Sequence, residues 1–119
     1  MEQILKTWIY QISKEIELKE GLVAYNFGIF ESSEGYGIYL AGSDSYDEND
    51  EDWACETPYQ SQPLLLKNTL LEKMNWEDAL ETLSREIKTI LEETNLGKGV
   101  FSNKIVTIGF DDGNLTKLL

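Results

Sequence analysis

The sequence predicts an α+β domain of two layers, a mainly antiparallel sheet covered by two amphipathic helices, in the order α-β-β-β-α-β. Three observations carry this reading. Apolar residues recur at three- and four-residue spacing over 3–18 and again over 76–94. Between them, 22–31 and 36–42 change to a period of two and are rich in β-branched and aromatic residues. The short polar connection between those two segments makes them an antiparallel hairpin. The chain has 119 residues, the length of one domain, so 1–119 is read as a single unit with no room for a two-domain enzyme.

In the first helix Ile4, Leu5, Trp8, Ile9, Ile12 and Ile16 form one apolar stripe. Lys6, Lys14, Glu15 and Glu17 take the other face, and Gly21 ends the element. In the first strand Val23, Tyr25, Phe27 and Ile29 point one way, and Leu22, Ala24, Asn26, Gly28 and Phe30 the other. Tyr36, Ile38 and Leu40 share one face of the second strand. Residues 43–52 are a polar loop, and 53–57 read as a third short strand. Pro58 and Pro63 bracket an irregular stretch, after which 64–71 fits either a strand or a short helix. Asn75 is a good N-cap for the second helix, with Glu77 and Asp78 in the first turn. Its stripe is Trp76, Leu80, Leu83, Ile87, Ile90 and Leu91, and Asn95 and Gly97 stop it. Residues 104–110 form a last long strand, 111–114 a turn, and the closing LTKLL one more short strand.

Composition excludes several functions. Lys and Arg total 10 against 22 Asp and Glu, a net charge of −12, which repels nucleic-acid backbones and anionic membranes. With no His, the Ser-His and Cys-His catalytic arrangements and most zinc sites are removed. The chain holds 41% hydrophobic residues, too many for a disordered acidic tail. One Cys, Cys55, excludes an internal disulfide. Glu56 beside it disfavours the thiolate, so it reads as a buried structural residue and not a nucleophile. The first residues lack the basic and apolar regions of a signal peptide, and the expected location is the cytoplasm. The glycines at 28, 35 and 37 make no nucleotide fingerprint, and no cofactor is expected.

The charge is local. No Lys or Arg falls between Lys19 and Lys67, a stretch with ten carboxylates, while the rest of the chain is nearly balanced. Six of them, Asp44, Asp47, Glu48, Asp50, Glu51 and Asp52, crowd into nine residues, at a cost in self-repulsion. Tyr46 lies among them and Trp53 follows. One reading is a solvated loop that keeps the protein soluble. The sharper reading makes these eight residues a surface for a basic protein partner, where complementary charge speeds association and aromatics anchor it. Trp53 fits a core position equally well. The carboxylates do not form a calcium loop, because 44–52 contains no glycine and no helix pair flanks it. Asp111 and Asp112 read as turn residues, so no metal site is expected.

The segments GSDSYDENDEDWACE (42–56) and IVTIGFDDGNL (105–115), in a small, acidic, His-free α+β chain, resemble the immunity proteins of bacterial toxin–immunity systems. The resemblance implies a non-enzymatic cytoplasmic inhibitor that blocks a cognate toxin, many such toxins being nucleases with basic active-site surfaces. It carries no residue assignments. The alternative is a regulatory or scaffolding domain that binds another protein without inhibiting it, or binds itself as a homodimer.

Overall fold

A computed structural model of the chain describes residues 2–118 apart from 34, 55, 56, 68, 69, 95–98 and 112. The first helix, α1 (Glu2–Glu17), buries Leu5, Trp8, Ile9, Ile12 and Ile16. Ile4 does not join them and is 47% exposed. The reason is angular: at ~100° per residue, Ile4 lies well to one side of the line through Leu5, Ile9, Ile12 and Ile16. After a last helical turn the chain reverses through Gly21, whose φ of +82° suits glycine. The hairpin strands β1 (Ala24–Ser32) and β2 (Gly35–Ser43) pair antiparallel along their whole length.

Of the strand expected at 53–57, the described residues form no part. Trp53 and Ala54 belong to a short 3₁₀ helix, Glu51–Ala54, and Cys55 and Glu56 lie outside the described residues. Tyr46 and Trp53 pack edge-on at 5.3 Å, and the chain must double back to close that contact. A compact helical turn does this; an extended strand would carry the two rings apart. Pairing with β2 falls instead to two short strands, β3 (Tyr59–Gln60) and β4 (Leu64–Leu65). Pro58 and Pro63 flank β3 and supply no amide donor, which keeps it short. The 64–71 segment divides between the two readings: a strand at its start and a 3₁₀ helix, Leu70–Lys73, from its end.

The second helix, α2 (Trp76–Glu93), is capped by Asn75, whose Oδ1 accepts from the Asp78 amide at 2.8 Å. At its other end the Thr94 amide bonds to Ile90 O; the stop expected from Asn95 and Gly97 lies outside the described residues. The long strand β5 (Ile105–Phe110) then enters beside β1, parallel to it, and β6 (Thr116–Lys117) pairs antiparallel with β5. The sheet is thus mixed, in the order β3-β2-β1-β5-β6 with β4 also on β2.

One face of the sheet meets both helices. Tyr25, Phe27, Ile29, Ile38, Leu40, Val106 and Ile108 form a single core with Leu5, Ile9 and Ile12 of α1 and Leu83, Ile87 and Leu91 of α2. Fully burying each such side chain contributes about 1.5–3 kcal/mol, which explains why the helices sit there. The other face carries small and polar residues in register. Ala41, Asn26, Thr107 and Lys117 form one row across β2, β1, β5 and β6, and Tyr39, Gly28 and Gly109 form the next.

Candidate functional site

The acidic loop leaves β2 at Ser43 and crosses the helix-free face. Local bonds shape its course: the Ser45 amide donates to Ser43 Oγ at 3.2 Å, and the Asn49 amide to Asp47 Oδ1 at 2.9 Å. Lys117, in the row with Thr107, meets the loop from the far edge of the sheet. Its Nζ lies 3.5 Å from Glu48 Oε1 and 5.8 Å from the centre of the Tyr46 ring. The loop therefore spans from β2 to β6 and covers the buried Ala24, Asn26, Ala41 and Thr107. Both partners of the ion pair are at least half exposed, so water and salt screen it and it adds little stability.

The eight expected site residues divide by this packing. Asp44, Asp47, Glu48 and Asp50 are exposed on the outer side of the loop. Tyr46 is half-buried. Trp53 is 7% exposed, so it takes the packing role of the two it was given and pins the loop to the sheet. Glu51 and Asp52 lie in the helical turn itself. Among the described residues no three His, Cys, Asp or Glu side chains converge to hold a metal ion. No helix of the described residues is long and apolar enough to cross a membrane.

A second feature lies at the carboxyl ends of the parallel strands β1 and β5, about four residues or ~13 Å along β1 from the row that holds Lys117. There a cavity of about 620 Å³ opens beside Phe30, Glu31, Trp76, Phe110 and Asp111. Trp76 follows the direction of its helix stripe but is 53% exposed, contrary to its place in the expected stripe. As the first residue of α2 it overhangs the end of the sheet and meets Phe110 edge-on at 6.0 Å. Asp111 is held twice: its amide donates to Ile29 O at 3.1 Å, and its Oδ1 accepts from the Tyr39 hydroxyl at 2.5 Å. The turn closes with the Gly113 amide on Phe110 O, while Asp112 lies outside the described residues. Beside the cavity, burial and then the Glu31 carboxylate raise the pKa of Tyr36, which donates to Met74 O at 2.9 Å. The reading of the sequence missed this cavity because its walls come from three distant segments. The signals were present only as a strand ending in Phe30-Glu31, a Trp directly after an N-cap, and Phe110-Asp111 before a turn.

No family model matches the chain, and no curated protein or solved structure matches it either.

Proposed function

We propose that the protein is a cytoplasmic inhibitor of the immunity type, which binds a basic toxin enzyme through the acidic loop and has no catalytic activity of its own. The observation that supports this most is that aromatic packing pins the loop while four of its carboxylates stay exposed to solvent. Trp53 is buried and Tyr46 half-buried, while Asp44, Asp47, Glu48 and Asp50 are exposed, with Lys117 beside Glu48. A loop serving solubility alone has no need of an aromatic clasp. A recognition loop gains from one, because ordering it beforehand lowers the cost of binding. Concentrated charge then steers a basic partner toward it.

The test is capture from lysate of the source cell with the immobilised protein, in parallel with an Asp44→Asn, Asp47→Asn, Asp50→Asn variant. The reading expects a basic enzyme, inhibited when bound, that the wild type retains at low salt and the variant retains poorly. Capture of a partner whose activity is unchanged by binding would favour the scaffolding alternative. Equal capture by both proteins would remove the loop from the interface.

A further inference from the structure

We infer that the cavity at the carboxyl ends of β1 and β5 receives an arginine side chain of the basic protein partner; this deepens the reading above and rests on it. The walls supply the two things a guanidinium seeks. The first is aromatic surface: Trp76, the most open of the three tryptophans, with Phe110 edge-on to it and Phe30 across the cavity. The second is carboxylate charge from Glu31 and Asp111, and no lysine or arginine lines the cavity among the described residues. A guanidinium stacks on aromatic rings and pairs with carboxylates in one plane, and it sheds water more readily than an ammonium.

Other occupants fit less well. An anion would meet Glu31 and Asp111. The amino end of α2 offers it little, because the Asn75 side chain takes the Asp78 amide and Glu77 and Asp78 already face the helix dipole. A purely apolar group would leave both carboxylates to be desolvated without a partner. The Asp111 carboxylate is also held in place before binding, by Tyr39 on its side chain and Ile29 on its backbone. Phe30 and Asp111 follow the register of Gly28 and Gly109 on the helix-free side, which the acidic loop crosses, while Glu31 and Phe110 follow Ile29 and Ile108 on the helix side with Trp76, so the cavity wraps the end of the sheet. A partner seated on the loop's face reaches the cavity from its Asp111 and Phe30 rim, with the loop setting long-range attraction and the cavity setting register.

The test uses the whole chain and two probes of the same shape, N-acetyl-arginine methylamide and its neutral citrulline counterpart. Trp8 and Trp53 are each 7% exposed, so changes in solvent-sensitive emission report on Trp76. Saturable change in that emission, with amide shifts at Glu31, Asp111 and Gly113, is expected for the arginine probe. The citrulline probe should bind at least about five-fold more weakly, the scale of a cation–π and charge preference at a part-open site. A Glu31→Gln, Asp111→Asn variant should lose the preference; Asn at 111 keeps an oxygen to accept from Tyr39, so the fold is retained. Equal binding of the two probes, absence of saturation, or shifts confined to 44–50 would overturn the assignment. The wild-type comparison stands even if the variant fails to fold. Because the titration needs no partner, its failure leaves the acidic-loop reading intact, and failure of that reading leaves the titration to be judged alone.

Discussion

The Tyr39 hydroxyl donates a 2.5 Å hydrogen bond to the Asp111 carboxylate, across a sequence separation of 72 residues. Tyr39 is on β2 and Asp111 follows β5, with β1 between them in the sheet. The ring can reach across because its register partner on β1 is Gly28. A Cβ at that position would lie 2.3 Å from Tyr39 Cζ, closer than atoms approach. One missing side chain thus lets a tyrosine orient the carboxylate at the rim of the cavity.

Gly28→Ala should therefore destabilise the protein by about 1–3 kcal/mol, the usual cost of forcing atoms into a filled site. Tyr39→Phe keeps the ring and loses only the hydrogen bond, so its cost should be smaller, about 0.5–1.5 kcal/mol. Urea unfolding of both variants checks the order; a harmless Gly28→Ala would mean that the ring does not rest on the glycine.

A buried stripe residue and an exposed one should behave differently. Leu83 is fully buried, and Leu83→Ala should cost about 2–5 kcal/mol. Ile4 is nearly half exposed, and Ile4→Ala should stay below about 1 kcal/mol. Equal costs would show that Ile4 belongs to the core after all.

Trp53→Ala should lower stability by about 3 kcal/mol, because the indole is buried beneath the acidic loop. Raised protease sensitivity within 44–54 should accompany the loss. A variant as stable as the parent, with a faster-dissociating partner, would place Trp53 at the interface instead of under the loop.

Alkaline pH should weaken the fold through Tyr59. Burial, followed by the Glu15 carboxylate to which it donates a hydrogen bond, pushes its hydroxyl up to about 12. An unfolded tyrosine ionises near ~10. The folded chain thus holds the proton more tightly, and that preference favours folding fully below pH ~10 and is lost as pH rises toward 12. The melting temperature should fall across this window, and Tyr59→Phe should fall less steeply. Parallel pH profiles for the two proteins would remove Tyr59 as the cause.

What could be read from the sequence was whatever local spacing encodes. Leu83, Ile87 and Leu91 announce a helix, and Tyr25, Phe27 and Ile29 a strand, because burial on one face imposes a period. Trp76 fits its stripe and still escapes burial, since a stripe does not say where the opposing surface ends, whereas Ile4 has the right spacing but sits to one side of the buried line. The parallel pairing of β1 with β5 depends on α2 returning the chain across the sheet, which no local pattern records. The turn at Glu51–Ala54 is dictated by the contact of Trp53 with Tyr46, and so replaces a strand that W-A-C-E-T favours by itself. The acidic loop was legible as charge, but not as the cover of a sheet face made of Ala24, Asn26, Ala41 and Thr107. The cavity was not legible, because Glu31, Trp76 and Asp111 come together only in the fold.

The most direct test of the central claim, that the acidic loop meets a basic protein, is the association rate of the captured partner across a salt series. Screening shortens the reach of exposed charges to ~8 Å at physiological ionic strength. The wild type should associate more slowly as salt rises, with a steep slope. The Asp44→Asn, Asp47→Asn, Asp50→Asn variant should start slower and show a shallower slope, while unfolding at the same denaturant concentration or slightly higher. Identical rates and slopes for the two proteins would contradict the claim and leave the loop a solvated cover for the sheet.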